Sequence, residues 1–440
     1  MKLRLFLLGY SLLWHLLLPL ILLYLWHRGR KDRRYRQHLG ERFGHYPLPV
    51  QDCIWVHGVS LGETRSAVPL IRAMLDRGDR IVTTHFTPTG RREAESVFAA
   101  DIAAGQLRAV WVPFETTWAY RRFFRAFTPR FGLVMEIEIW PRMIFAAKRA
   151  KIPLFMCNAQ YPSKSLARDS ARFPLRQALM RGFAGALVKS DLQATRFASV
   201  GVRNIAVTGE LRFDQPIPPA LLTAGIAARH WLGATHRRVI TIASAVEGED
   251  ATYLSAIRAL QAHHRAQNLT APLFIYVPRR PERFDSVNDT LTQAGLHVLR
   301  RSTTFGTGLD PATGSATGLA APATPDILLG DSLGEMYFYL AMADQVIVGG
   351  GFNPKGAHNI IEPLALRKPV LTGPHIDTIE YPMTEALAAG VAQSVADAAA
   401  LAAALIANHP VTDAQIDAFF DAHAGATART LAALPDLLTT

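Results

Sequence analysis

Apolar and polar positions along this chain fall into two regimes. From Leu5 to Trp26 the residues are apolar apart from Tyr, Ser, Gly and His15, and ~20 such residues suffice to cross a bilayer core. Beyond them, short runs with β-branched residues alternate with stretches of helical length, the βαβ rhythm of a parallel sheet. In the first half the strand-like runs are Cys53–Ser60, Arg80–His85, Ala109–Phe114, Phe131–Ile139, Ile152–Asn158 and Gly185–Lys189. A second series follows at Val239–Ser244, Leu273–Val277, His297–Leu299, Asp326–Leu329, Gln345–Val348 and Pro369–Thr372.

Between the two series stands Phe213-Asp214-Gln215-Pro216-Ile217-Pro218-Pro219, a proline cluster that continues neither a helix nor a central strand. The expected layout is α/β: an anchor with a basic juxtamembrane segment over 1–44, a Rossmann-like domain over 45–213, a linker over 214–219 and a second Rossmann-like domain over 220–440. Thr303 to Pro325 carries one charge and almost no large apolar residue, which reads as a flexible surface insertion. The alanine-rich stretch Ala386–Leu405 has helical composition.

With 440 residues, 49% of them hydrophobic, the chain is long enough for two cores. Its two cysteines, Cys53 and Cys157, lie in strand-like runs and read as buried small hydrophobes in a reducing compartment. Charge is uneven. Residues 1–44 hold nine Lys/Arg against Asp32 and Glu41, so they supply +7 of the formal +11. Basic residues packed behind an apolar run fit anionic lipid headgroups better than nucleic acid. By the positive-inside rule they place the body in the cytoplasm, held at the inner membrane by a single N-terminal anchor. A cleavable signal peptide is the competing reading, but no small-x-small site follows the run.

The richest candidate chemistry lies at Gly349–His375, GGGFNPKGAHNIIEPLALRKPVLTGPH, directly after a strand-like run. The strand's C-terminal end is where α/β sheets bind ligands. Three glycines remove every Cβ from the turn and leave N–H groups to approach a phosphate, and Asn359–Leu366 suits a helix facing the same space. Glu362 can accept from a ribose diol, and Lys355 and His358 can meet a negatively charged donor. A glycine turn and a Glu-Pro pair at a helix start are also ordinary features of such sheets. The spacing fits neither a Walker loop, because Ala357-His358 follows Gly356, nor G-x-G-x-x-G, which argues against a P-loop ATPase or a dinucleotide oxidoreductase.

Other candidates sit at further strand ends. Ser60-Leu61-Gly62-Glu63 opens a helix, where a Ser-x-x-Glu pattern most often means a capping box. Glu136 and Glu138 alternate along a strand-like run, so both carboxylates are expected on one face, near Trp140. Arg279, Arg280 and Arg283 cluster around Pro281 and offer planar forks for phosphate or carboxylate. Ser332, Gly334 and Glu335 follow another strand, where backbone N–H groups suit a nucleotide. No D-x-D and no His/Cys cluster at metal spacing is present, so neither a metal nor another cofactor is indicated.

Several ordered motifs carry a resemblance: HGVSLGE from His57, MEIEIWP from Met135, VPRRPERF from Val277, GDSLGEM from Gly330 and VGGGFNPKGAHNIIEPLALRKPVLTGPH from Val348. Together they resemble the 3-deoxy-D-manno-octulosonic acid (Kdo) transferases of lipopolysaccharide synthesis. The resemblance covers most of the chain. It implies a GT-B glycosyltransferase with two Rossmann-like domains, a cleft between them and a last helix returning to the first domain. The donor it implies is CMP-Kdo and the acceptor a lipid A precursor, lipid IVA.

Carried over motif by motif, the resemblance makes Glu63 the general base, Glu138 its supporting carboxylate, and Ser60 and Gly62 acceptor neighbours. Arg279, Ser244, Ser332, Gly334, Glu335, Gly350, Gly351, Lys355, Asn359 and Glu362 become donor contacts. There are departures. Ser244-Ala245-Val246-Glu247-Gly248-Glu249 stands where the family has Ser-Thr-His-Glu-Gly-Glu, and Asn158-Ala159-Gln160 where it has Asn-Ala-Arg. Lost polar contacts change specificity, which leaves open a paralogue with another nucleotide sugar or acceptor, or a catalytically silent membrane-bound binding protein.

Overall fold

The computed structural model describes residues 2–172, 174–305 and 324–439. Most of the tract read as an insertion, 306–323, lies outside the described residues. The chain forms two units, Met1–Gln215 with His423–Thr440, and Pro216–Ala422. The divide falls within the proline cluster, and Pro219 opens the helix Pro219–Trp231, where its missing N–H costs nothing.

The first unit holds a seven-stranded sheet of β1 (Ile54–His57), β2 (Ile81–His85), β3 (Leu107–Trp111), β4 (Phe131–Met135), β5 (Leu154–Ala159), β6 (Gly185–Val188) and β7 (Ile205–Val207). Its order is β3-β2-β1-β4-β5-β6-β7, and every pair is parallel. Both faces are covered. Trp55 faces one apolar core with Phe123 and Phe127, while Ile54 and Val56 face the other with Leu70 and Met74. Strands buried on both faces read as continuous apolar runs rather than alternating ones, which is why these were visible in sequence.

The second unit repeats the scheme with β8 (Val239–Ala245), β9 (Leu273–Pro278), β10 (Val298–Arg300), β11 (Ile327–Leu329), β12 (Gln345–Val348), β13 (Val370–Thr372) and β14 (Ala392–Ser394). Its order is β10-β11-β9-β8-β12-β13-β14, again all parallel. The strand order turns at β1/β4 in the first sheet and at β8/β12 in the second, whose edge strands β10 and β11 are also interchanged, and loops that diverge at such a turn open a crevice.

Three expectations are corrected. β4 stops at Met135, and Glu136 has φ +56, so Glu136 and Glu138 lie in a loop and strand alternation does not set their directions. The stretch Ala386–Leu405 is broken by β14 between the helices Glu380–Ala388 and Ala398–Ala407. The helix expected over Asn359–Leu366 is only Ile361–Ala365. β7 and β14, absent from the sequence reading, are three-residue strands whose residues are mostly half-buried or exposed, so they carry no apolar run.

The final helix, Ala426–Thr439, belongs to the first unit. Gly425 and Thr427 donate backbone N–H groups to Asp214 at 2.7 and 2.6 Å, and Leu434 enters the core beside Leu70. Cys53 and Cys157 are free and fully buried.

A polar knot ties the ends of β5 and β6 to Arg212. Glu210, 1% exposed, takes the Lys189 ammonium at 2.5 Å and the Asn158 amide at 2.8 Å, while Asn158 Oδ1 accepts from Leu211 N–H at 3.0 Å. Burial alone would raise the Glu210 carboxyl, but Lys189 and Arg212 override it and hold it at about 2. Because its folded value is depressed, the pair contributes stability above the ordinary carboxylate range and loses it as pH falls toward 2. The substitution Lys189→Met should leave an uncompensated buried carboxylate and cost about 3–5 kcal/mol in denaturant unfolding. Adding Glu210→Gln should recover part of that loss, and no recovery would mean that the lysine acts through packing alone.

Candidate active site

In the first unit the reversal at β1/β4 brings two carboxylate loops together. After β1 the chain turns at Gly58–Ser60 into the helix Leu61–Asp76, whose N-cap is Ser60. Glu63 Oε2 accepts from Val59 N–H at 2.6 Å, and Oε1 accepts the Ser60 hydroxyl at 2.8 Å. The capping arrangement expected from Ser-x-x-Glu is therefore present. The turn is braced from outside, since Thr87 and Thr64 donate their hydroxyls to the carbonyls of Val59 and Ser60, each at 2.9 Å. Gly90 packs so close that a Cβ there would meet the Ser60 carbonyl at 3.1 Å.

Glu63 is half-buried, not sealed. Burial pushes its carboxyl up to about 7, with the charges of Glu138 and Glu136 adding and the bonds from Ser60 and Val59 opposing. Burial raises Glu138 too, with Glu136 adding and the bond from Trp140 Nε1 at 2.8 Å opposing. Trp140 lies edge-on to His57 at 5.9 Å and to Phe86 at 5.4 Å, so the β4 loop packs against the ends of β1 and β2. Arg212 reaches the cluster from the Glu210 knot, 3.2 Å from Glu136 and 4.0 Å from where a Cβ on Gly62 would stand. A carboxylate raised to neutrality and reachable by solvent is what a general base requires.

In the second unit the glycine turn after β12 commits several of the amides that the sequence left for a phosphate. Gly349 N–H goes to Ala243 O at 2.8 Å. Gly350 and Phe352 donate to the Glu249 carboxylate, both at 2.9 Å. Glu249, 1% exposed, also accepts from Val246 N–H at 3.1 Å and the Tyr253 hydroxyl at 2.9 Å. The glycines also serve backbone packing. A Cβ on Gly349 would meet Ser244 O at 2.5 Å, one on Gly350 would meet Gly356 O at 2.4 Å, and one on Gly351 would meet Gly373 N at 2.4 Å.

Around this turn the sheet order gathers the loops after β9, β8, β12 and β13. They bring Arg279, Ser244, Gly350 and Gly351 to one edge. Of the arginines near Pro281, Arg283 is spent on Asp250 and on Ala245 O, whereas Arg279 has no salt-bridge partner among the described residues. Arg279 bears on His358, which burial lowers to about 4 with the guanidinium adding, so His358 is neutral at pH 7. Its Nε2 is buried and without a hydrogen bond among the described residues. Glu362 lies in the first turn of Ile361–Ala365, and burial, with the Glu362 charge adding, raises the Tyr337 hydroxyl, while Asn359 Oδ1 caps Ile361 N–H at 3.0 Å. Lys355 is exposed on the turn.

Ser332, Gly334 and Glu335 follow β11, two strands from β8, and serve their own loop. Ser332 bonds Glu335 and the Tyr339 hydroxyl, and Glu335 pairs with Arg301 at 2.7 Å. Two departures now have locations. Ala245 is fully buried in the apolar core, and Gln160, 8% exposed, has both amide atoms without partners among the described residues. The sequence reading missed Glu249 and Arg212. The signal for Glu249 was present, since Gly248-Glu249 opens a helix after β8 as Gly62-Glu63 does after β1.

Residues 37–215 match the family model of 3-deoxy-D-manno-octulosonic-acid transferase (kdotransferase). A 3-deoxy-D-manno-octulosonic acid transferase of Bordetella pertussis is 41% identical over 443 residues, 98% of this chain and 99% of its own. One of Haemophilus influenzae is 30% identical over 83% of this chain and 81% of its own. Among solved structures, the UDP-GlcNAc 2-epimerase of Neisseria meningitidis superposes with a TM-score of 0.52 at 13% identity, covering 88% of this chain and 100% of its own. The corresponding epimerase of Rickettsia bellii gives 0.52 at 13% identity, covering 89% and 97%. At that identity these two speak to the fold alone, whereas the near-full-length match carries the family. This chain belongs to the 3-deoxy-D-manno-octulosonic acid transferases and is a glycosyltransferase of the GT-B fold.

Proposed function

We propose that the protein transfers Kdo from CMP-Kdo to the lipid A precursor lipid IVA, with inversion, at the cytoplasmic face of the inner membrane. The observation that carries the mechanism is the Glu63 carboxylate, held by Ser60 and Val59 at the β1/β4 reversal and raised to about 7. Glu63 takes the proton of the acceptor hydroxyl as that oxygen bonds to the anomeric carbon, and the bond to the CMP phosphate oxygen breaks with its electron pair. Glu138 keeps the Glu63 proton affinity high, and Ser60 and Gly62 flank the acceptor.

On the donor side Arg279, with Lys355 beside the turn, meets the phosphate and the sugar carboxylate, and Glu362 accepts from the ribose diol. Ser244, Gly350, Gly351 and Asn359 shape the donor surface, with Ser332, Gly334 and Glu335 at its far edge. These cations stabilise the departing phosphate, and neither a metal nor another cofactor is assigned a role. The apolar helix and its basic flank hold the enzyme on anionic lipid, where the acceptor resides. A second reading, the same chemistry on another acceptor or donor sugar, draws on Gln160, whose buried amide, without a partner among the described residues, stands where the resemblance places an arginine.

Glu63→Gln keeps the shape but cannot take a proton, so turnover should fall by roughly 10²-fold or more with CMP binding intact. In the parent enzyme kcat/KM should rise with pH through about 7, because the base works only when ionised, and the variant should lack that limb. A carboxylate that only caps its helix predicts the reverse, about 1 kcal/mol less stability and ordinary turnover.

Titration calorimetry tests the donor side. Arg279→Ala and Glu362→Gln should each weaken CMP binding by about 1–3 kcal/mol, whereas Arg283→Ala should mainly lower the melting temperature because it breaks the pair with Asp250. Unchanged affinity in both of the first two would place the donor elsewhere.

Glu249→Gln should lower stability by about 1–3 kcal/mol, because an amide NH2 would face the N–H groups of Gly350 and Phe352. It should also weaken CMP binding by loosening the turn. A variant as stable as the parent would mean that the turn holds its shape without this carboxylate.

A further inference from the structure

The N-terminal helix Lys2–Lys31 is apolar on every side, yet its sides differ in what they touch. Leu7, Tyr10, Trp14 and Leu18 are half-buried and Leu25 and Gly29 are buried, and they recur every three, four or seven residues along one stripe. On the other sides Leu5, Leu8, Leu12, Leu16, Leu20 and Leu23 are each at least 60% exposed.

Specific contacts pin the shielded stripe to the body. Tyr10 donates its hydroxyl to Glu115 at 3.1 Å, and Glu115 is itself fully buried, accepting Arg142 and Met143 N–H at the start of the helix Pro141–Arg149. The Arg142 guanidinium donates to the Leu7 carbonyl. Trp14 lies 6.1 Å from Phe114, and Trp118 Nε1 bonds His15 at 3.3 Å. At the other end Arg36 donates to the Gly29 carbonyl at 2.7 Å, and the short helix Leu39–Arg42 that follows is tied in through Glu41, which pairs with Arg91 at 2.7 Å.

The contacts to the body run from Leu7 to His15, and the one at Gly29 is to Arg36 just beyond the helix; Leu7 to Gly29 measures about 33 Å at the α-helical rise, as long as the ~30 Å hydrocarbon core it would have to cross. A spanning helix would therefore carry Glu115, Arg142, and the Arg122 that lies over the Trp118 ring at 5.1 Å, into hydrocarbon, where ionisable groups are costly.

We infer that this helix does not cross the bilayer but lies along its surface, clamped on one stripe to the body, with its exposed leucines in the acyl region. The inference deepens the anchor reading above and rests on it. The partner is a bilayer surface with anionic headgroups, argued from what borders the leucines. Arg28, Arg30, Lys31 and Arg33 follow the apolar stretch, Arg30 lies 4.3 Å over the Trp26 ring, and exposed Tyr24 and Trp26 provide amphipathic rings for the headgroup level. So placed, the helix holds the face of the first unit that bears Phe114, Glu115 and Arg142 against the membrane. The β4 loop that carries Glu138 and Trp140 runs directly into that Arg142 helix.

Membrane sidedness tests this on the full chain. In inverted inner-membrane vesicles a membrane-impermeant maleimide should label Arg4→Cys as fully as the exposed body position Arg265→Cys, with little background because Cys53 and Cys157 are buried. Labelling of Arg4→Cys only after detergent would show that the helix crosses and would overturn the inference. In the same vesicles, Trp14→Cys with Phe114→Cys should be joined by a short bis-maleimide, and failure to join would overturn the clamp. Protein absent from the vesicles altogether would overturn the anchor reading, and this inference with it.

Discussion

A fully parallel sheet must return its chain along a helix after every strand, so all strands deliver their loops to the same edge. Where the order reverses, the loops of neighbouring strands leave in opposite directions and part. The two units obey this at β1/β4 and β8/β12. Every residue with a strong claim to chemistry stands at a strand's C-terminal end, or on the loop or helix start that follows, at or beside one of those two reversals. Glu63, Glu138 and Trp140 belong to the first, and Ser244, Glu249, Arg279 and the glycine turn to the second.

The two units use one device for two ends. In each, the first strand of the sheet leads through a Gly-Glu pair into a helix, and the glutamate turns back to accept N–H groups of its own loop. Glu249 accepts three backbone N–H groups and a tyrosine hydroxyl in full burial, so every lone pair is committed and its work is to hold the glycine turn. Glu63 accepts one N–H and one hydroxyl and stays partly open to solvent, with partial burial first and then two further carboxylates raising its proton affinity. The same residue in the same local setting is a sealed strut or a solvent-reachable carboxylate of raised proton affinity, according to its burial, how many donors it faces and which charges surround it.

Much of this was legible in the sequence. Strands buried on both faces declare themselves as apolar runs, and Ser-x-x-Glu at Ser60–Glu63 announced the cap that was found. What escaped notice depends on contacts between distant segments. The glycines of Gly349–Gly351 signalled a turn without Cβ atoms, but their purpose is set by the backbone at Ser244, Gly356 and Gly373, which no local pattern reveals. Arg279 and Arg283 look equivalent in sequence and differ because Asp250 lies within reach of only one. Glu136 and Glu138 looked strand-like because Ile137 and Ile139 continue the apolar alternation, yet the left-handed backbone at Glu136 ends the ladder.

The central claim is that these residues serve Kdo transfer to a lipid acceptor. Its most direct measurement is the mass of the lipid product after the purified full-length protein is incubated with CMP-Kdo and lipid IVA. The account predicts lipid IVA heavier by one or more whole Kdo units, with CMP released in equal number. Unchanged lipid IVA under conditions where the protein binds CMP, or transfer of a different sugar from another nucleotide, would contradict it.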